Sequence, residues 1–483
     1  MTATNRRPVI ALTGASGYIG RNLLKQLTPY ADIIALSRNG DDKEDTEHVT
    51  WRSCDLFSMA DAEKALEGAD YAYYLVHSMK PSAKLTQGTF ENMDVILADN
   101  FAQAAEKQGV KQIVYLSGLV PDADHLSRHI RSRLEVEQVL TSYQVPVTTL
   151  RAGLIVGPNG SSFPILAKMV KRLPVMLLPK WTRKKTHPIY IGDMLDSLVR
   201  CAGRTDLYDR SIDVGGPEVM TYKNMMRETA EVMGKQPKMI PVPFMTVNLS
   251  RLWVSLVSNS PREMVYPLIE SLIHPMIARP ENMVSGISVG STPFREAARK
   301  SLEEEKQKRP AGRLKVLTIP DIDNDVRSVQ RIPLPHGKTA LWTAHYYAEW
   351  LSRKIHPLLS VQDDFDGVIN IQFRGWTLLE LRHSADRSQP DRALFYITGG
   401  LFDDKKENER GRLEFRKIPG REECIIAIHD YMPSLPWFMY KYTQAKAHRF
   451  VMYRFRRHLE KEERKHGTAR LPLLLQGRPF INQ

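Results

Sequence analysis

Cysteine is scarce. Cys54, Cys201 and Cys424 stand far apart in a chain of 483 residues, and no Cys-x-x-Cys pair occurs. Neither a disulfide framework nor a thiolate zinc site is indicated, no other metal-ligand set stands out, and a reducing, cytoplasmic setting is expected. Long apolar runs are also missing: no stretch approaches the 18 or more apolar residues of a membrane span. The N-terminal "MTATNRRPVIALTGASGYIG" places basic residues ahead of an apolar run, as a secretion signal does. That run is short and breaks into a Gly-rich turn, so it is expected to be a first β-strand. A third absence is local: residues 116–142 contain neither Tyr nor Lys.

What is present is the composition of a globular protein, with 42% hydrophobic and 25% charged residues. The length predicts two or three domains. A formal charge of +13 suits an anionic partner, whether phosphate, membrane surface or nucleic acid, without choosing among them.

The buried-strand pattern "PVIALTG" runs into "GASGYIG" and then the amphipathic "RNLLKQLTPY". Strand, Gly-rich turn and helix together form the context of a dinucleotide-binding fingerprint. Gly14 permits the tight turn, Gly17 lets the backbone approach a pyrophosphate, and Gly20 lets helix pack on strand. Ser16, Tyr18 and Ile19 complete the loop, and the helix N-terminus offers unpaired N–H groups to phosphate. The next strand, "DIIALSR", ends in Ser37 and Arg38, where an acid would bind the ribose hydroxyls of NAD. The basic end favours NADP(H) over NAD(H), although a surface Arg after a strand looks the same. Asp55 and Leu56 end a third strand beside the expected adenine position. Val76 and His77 end a fourth and Ser117 a fifth, with a helix over "FENMDVILADNFAQAAEKQG" between them. The alternation predicts an α/β doubly wound, mainly parallel sheet of the Rossmann type.

"TGASGYIG", "IVYLSGL", "LRAGLIVGPNG", "HPIYIGDM" and "DVGGPEVMTYKNMM" occur in that order. Together they resemble the extended and atypical short-chain dehydrogenase/reductases over roughly residues 8–305, the group that includes NmrA-like and epimerase-like members. The resemblance implies an NAD(P)-dependent oxidoreductase with a small substrate lobe. It also implies a Ser after the fifth strand and a Tyr-x-x-x-Lys pair on the next helix, for proton transfer to a carbonyl oxygen. Those three positions here carry Leu119, His129 and Arg133. Arg133 can grip a ribose or phosphate but cannot release a proton, and His129 is a chemically credible acid or base. Two readings stay open: hydride transfer assisted by His129 on a small or lipid-like substrate, and a non-catalytic NADP(H)-sensing or ligand-binding regulator. Taken locally, "LSRHIRSRLEVEQVL" is also consistent with a solvated helix carrying the ion pairs Arg131–Glu135 and Arg133–Glu137. Tyr190 is expected to pack the substrate lobe. The acid-free, basic stretch 167–188 is either a solvated loop or a recess for an anionic substrate or lipid headgroup.

Residues 1–310 are thus expected to form the NAD(P)-binding domain, with 311–324 a linker, 325–466 a second domain and 467–483 a tail. Beyond the linker, short alternating runs such as "GVINIQFR", "WTLLELRH" and "ECIIAIHD" predict an antiparallel sheet. A single long helix is expected from about Pro433 to Arg464. "VRSVQRIPLPHG", "HYYAEWLSR" and "FDGVINIQF" resemble the α+β helix-grip domains of the START-like superfamily (SRPBCC), which implies a ligand cavity between sheet and helix. Residues 437–466 hold nine Lys or Arg against three Glu, beside an apolar side of Phe438, Tyr442, Phe450, Val451, Phe455 and Leu459. Such a helix either closes its own domain or makes peripheral contact with an anionic membrane. No nucleic-acid motif accompanies the charge, so a nucleic-acid partner is not expected.

Overall fold

A computed structural model describes residues 6–78, 85–160, 162–242, 244–307, 326–355, 359–364, 367–403 and 411–465. The expected linker and tail lie outside the described residues. The chain divides into two compact units, and the division is not a single cut: Pro81–Met93 goes with Leu317–Gln483, and the remainder forms the first unit.

The first unit is built on seven strands: β1 (Val9–Leu12), β2 (Asp32–Ser37), β3 (Val49–Ser53), β4 (Tyr71–Tyr74), β5 (Ile113–Gly118), β6 (Val147–Ala152) and β7 (Ser211–Val214). They lie in the order β7-β6-β5-β4-β1-β2-β3, and every pairing is parallel. Ile10, Ala11 and Leu12 are all buried, as a strand covered on both faces requires. Intervening helices are α1 (Tyr18–Leu27), α2 (Met59–Leu66), α3 (Phe90–Lys107), α4 (Arg128–Leu140) and α6 (Ile191–Cys201), with α5 (Phe163–Arg172) between the last two. Strand order reverses at β1, which lies between β2 and β4, so a crevice opens at the carboxyl ends of β1 and β4.

A lobe forms from α5, α7 (Tyr222–Val232), α8 (Val247–Ser258), α9 (Arg262–Ser271) and α10 (Phe294–Gln307). Phe163, Val170, Met176, Met225, Val254 and Phe294 belong to its separate apolar core. A two-strand ribbon, Val175–Leu178 parallel to Lys238–Pro241, edges this lobe. Tyr190 caps the N-terminus of α6, half-buried, with the Lys300 ammonium 5.2 Å from its ring centre.

The second unit contains β8 (Val326–Pro333), α11 (Ala340–Ile355), β9 (Leu359–Asp364), β10 (Val368–Phe373), β11 (Trp376–His383), β12 (Arg392–Gly399), β13 (Arg412–Lys417) and β14 (Glu423–Tyr431). Its sheet runs β9-β10-β11-β12-β13-β14-β8, antiparallel throughout. One further strand, Leu85–Gln87, joins the edge parallel to β8. The sequence reading missed it, because three residues carry no period. The expected single terminal helix is two: α12 (Trp437–Tyr442) and α13 (Gln444–Lys465), broken at Thr443 with φ −115° and ψ −83°. The break lets Tyr440 pack on Tyr431, ring centres 6.1 Å apart, while α13 takes its own line. Phe455 and Leu459 of α13 enter the core, but Phe438, Tyr442 and Phe450 stay exposed, so the expected apolar stripe is divided. Phe455 meets Tyr347 and Trp350 of α11 with ring centres 5.0 Å apart in both pairs.

Candidate functional site

The loop leaving β1 has no room for side chains where it has none. A Cβ on Gly20 would lie 2.2 Å from the Gly14 carbonyl oxygen, and Gly14 itself sits at φ +65°. The turn closes through Gly17 N–H donating to the Gly14 carbonyl at 2.8 Å. Gly17 is also the N-cap of α1 and supplies no side-chain cap, so the first N–H groups of that helix remain available to an anion.

From this turn a cavity of about 390 Å³ extends along the crevice into the lobe. Gly14, Gly17, Tyr18, Ile19 and Gly20 line it together with Ser117, His129 and Arg133. Met169, Trp181, Met226, Val254, Leu268 and Met276 make the far wall apolar.

Helix α4 starts at Ser127, whose Oγ accepts from the Ile130 N–H at 3.3 Å. Counting from that cap places His129 and Arg133 one turn apart, both on the cavity. The expected pairing of Arg133 with Glu137 does not form. Glu137 is buried and accepts from Arg151 on β6 at 2.6 and 3.1 Å, so the helix is not a solvated one. Leu119 also departs from the expected Ser position: it is buried against Ile130, Met276 and Ala278, and Ser117 reaches the cavity instead.

Behind His129 lies a buried polar group. The His77 ring is 5.3 Å from that of His129, centre to centre, and its Nδ1 is 2.6 Å from Asp94 Oδ2. Asp94 also accepts from Ser78 N–H at 2.7 Å and Ser132 Oγ at 3.2 Å. Burial pushes the Asp94 carboxyl up, but His77, Arg133 and the Ser78 amide outweigh it and hold the group below the usual carboxylate range. Burial, reinforced by His77 and Arg133, holds His129 well below its ordinary value, so its imidazole is neutral at pH 7. Its Nδ1 is buried and has no hydrogen-bond partner among the described residues.

At the other end of the crevice, Ser16 Oγ donates to Ser37 Oγ at 2.9 Å, and the Lys43 ammonium bonds both, reaching Ser37 at 3.3 Å. Lys43 also stands 3.9 Å over the Trp51 ring, and burial, then Arg21, lowers its pKa.

Residues 14–160 match the family model described as NAD(P)H-binding. The N-terminal region has the doubly wound parallel sheet of a Rossmann fold and is similar to NAD(P)H-binding domains. Its chain is 32% identical over 144 residues to the auxiliary protein GraX of Staphylococcus aureus, covering 30% of this chain and 43% of GraX. It is 26% identical over 255 residues to a ceramide reductase of Caulobacter vibrioides, covering 50% of this chain and 75% of that protein. A solved structure of the Escherichia coli NADPH-dependent quinone oxidoreductase with NADPH is 20% identical, with a TM-score of 0.49, covering 60% of this chain and 99% of that one.

Within the first unit, the sequence-derived residues separate into two groups. Gly14, Gly17, Tyr18, Ile19, Gly20, Ser117, His129 and Arg133 share the cavity. Ser16 and Ser37 meet each other beside it, and Arg38 is exposed at the end of β2. Asp55 accepts from the Phe57 N–H at 3.1 Å and so shapes its own turn, while the buried Leu56 offers its carbonyl to Asn100 at 2.8 Å. Val76 is half-buried, and His77 is held by Asp94. Asp94, Asn159 and Lys43 were not found from sequence. Asp94 is one of several acids on a long helix, and Lys43 is hidden among Asp41, Asp42, Glu44 and Asp45. Asp41 and Asp45 turn away to the backbone N–H groups of Ser53 and Trp51, which leaves Lys43 beside the two serines.

Proposed function

We propose that the first unit is an NADPH-dependent reductase of a carbonyl group on a hydrophobic, lipid-like molecule, working without the usual Ser, Tyr and Lys. The observation that carries this is the single cavity running from the glycine turn, past His129, to an apolar wall. Gly14, Gly17 and the N-terminus of α1 would hold the pyrophosphate, and Arg133 the ribose or phosphate nearer the reacting end. When bound, the nicotinamide supplies the hydride. His129, neutral and lining the cavity, offers an N–H to the carbonyl oxygen as negative charge develops there, and the alkoxide so held takes its proton from water as the product leaves. Asp94 holds His77, which packs against the His129 ring and keeps it in place. The apolar wall excludes water and fits an aliphatic chain. A ceramide reductase among the relatives is compatible with that substrate class.

NADPH oxidation against a panel of long-chain ketones and aldehydes tests the proposal. His129→Ala is expected to lower kcat roughly 100-fold or more, the scale of one lost hydrogen-bond donor to a developing oxyanion, with NADPH affinity kept. Turnover equal to that of the unaltered protein would remove His129 from the mechanism.

The neutral state of His129, which makes it a poor proton donor at pH 7, favours a second reading as an NADP(H)-sensing protein. That reading expects NADPH binding with no turnover on any of the panel. For the second unit we read a START-like helix-grip domain, supported by long helices α11 and α13 laid over an antiparallel sheet.

A further inference from the structure

Helix α8, "VNLSRLWVSLVS", is laid down inside out. Its buried positions are Ser250, Val254, Ser255 and Ser258, whereas Leu249, Leu252 and Leu256 face solvent, Leu256 being 68% exposed. The leucines stand at i, i+3 and i+7, so they share one stripe of the helix. Just before the helix, Phe244 is 91% exposed. The inward serines are accommodated in part by local bonds, Ser255 Oγ donating to the Ser260 carbonyl at 2.9 Å. A surface helix ordinarily places its leucines inward; a contiguous outward apolar stripe marks an interaction face.

Arg251 of α8 is paired with Glu270 of α9, and the segments flanking the stripe are basic. Residues 234–261 carry three Lys or Arg and no acid, and residues 161–192 carry seven and no acid. The two segments run together. Lys238–Pro241 pairs with Val175–Leu178, and Arg172 at the end of α5 donates to the Val257 carbonyl of α8 at 2.6 Å. Lys168, Lys171, Arg172, Lys235 and Lys238 are all exposed on these elements. The helix has a second relevant face, because Val254, on its buried side, lines the cavity.

We propose that Phe244, Leu249, Leu252 and Leu256 dock the protein on an anionic phospholipid surface. Apolar side chains enter the headgroup boundary there, while the long lysine and arginine side chains reach lipid phosphates. A protein partner of this face would have to be acidic and shaped to it, whereas a bilayer supplies both the negative charge and the apolar depth without shape. The docking places the lobe's cavity wall against the lipid phase, the source of the hydrophobic substrate. In that last respect it rests on the proposed reductase reading, but the docking itself is independent of turnover.

Co-sedimentation of the full chain with vesicles of phosphatidylcholine alone, and of phosphatidylcholine with phosphatidylglycerol, tests it. Binding to the anionic vesicles is expected to be about tenfold or more tighter than to the neutral ones. The variant Phe244→Ser/Leu252→Ser/Leu256→Ser should lose about tenfold or more of that binding, with NADPH binding and circular dichroism unchanged. Lys171→Glu/Lys238→Glu should erase the preference for anionic lipid. The proposal is overturned if the full chain does not sediment with anionic vesicles, or if the serine variant binds them as well as the unaltered chain. It is equally overturned if light scattering shows a dimer that the serine variant dissolves, since the face then belongs to a second copy. None of these outcomes reads NADPH oxidation, so failure here leaves the reductase proposal standing.

Discussion

Lys43 sits where a short loop of acids would be expected to repel an anion, yet its ammonium bonds Ser16 and Ser37 beside the glycine turn. For the proposed NADPH, Ser16, Ser37, Lys43 and Arg38 would hold the 2′-phosphate. Lys43→Ala should then weaken NADPH binding about tenfold, the scale of one charge-assisted contact, while NADH binding changes little. Arg38→Ala should act in the same direction. Fluorescence titration with both cofactors decides it, and equal losses for NADPH and NADH would remove Lys43 from the phosphate site. The contrast with the glycines explains what a sequence reveals at this scale. Gly14, Gly17 and Gly20 are legible because a local backbone requirement fixes their spacing. Lys43 and Asp94 are not, because each acquires its partner only after strands far apart in sequence are paired.

Helix α4 shows the same limit for a whole element. Its cap, length and the one-turn spacing of His129 and Arg133 follow from local pattern. Its surroundings do not: Glu137, spaced to pair with Arg133, is taken by Arg151 from β6. The terminal helix was expected unbroken because its charge and apolar periods run through Thr443, where tertiary packing of Tyr440 prevails. In β13 the alternation of Arg412, Glu414 and Arg416 reads as a polar face, and the structure buries it. Glu414 accepts from Arg392 at 2.9 Å and Arg416 at 2.6 Å. Burial alone would raise its pKa; Arg416, Arg392 and His429 reverse that and hold it well below the carboxylate range. Glu414→Gln removes the buried carboxylate that Arg392 and Arg416 share and should cost about 3–5 kcal/mol. Urea denaturation followed by circular dichroism checks the loss, and a change under about 1 kcal/mol would mean that the network is hydrated.

Across the whole molecule, several histidines are held neutral. His129 and His429 lie well below their ordinary value, and burial takes His448 down to about 4. An unfolded chain binds protons at these sites below about pH 6.5, whereas the folded chain refuses them. Stability is therefore complete above that pH and falls as pH drops toward 4. Asp94 and Glu414, whose values are lowered, add to the loss once the pH reaches the carboxylate range. The melting temperature should accordingly fall between pH 7 and pH 5 at constant ionic strength. A flat profile over that interval would show that these histidines take up protons without penalty.

The strand Leu85–Gln87 carries a consequence for how the protein is made. It is synthesised with the first unit but hydrogen-bonds to β8, more than two hundred residues later in the chain. While the ribosome is still completing the first unit, these residues have no edge to pair with. The later sheet, in turn, keeps one side of β8 open until it captures them. A cut anywhere in 308–325 separates that strand from its edge, so the later fragment lacks the outermost strand of its sheet while the seven-strand sheet stays whole. The later sheet is completed only by residues encoded within the stretch of the gene that specifies the first unit.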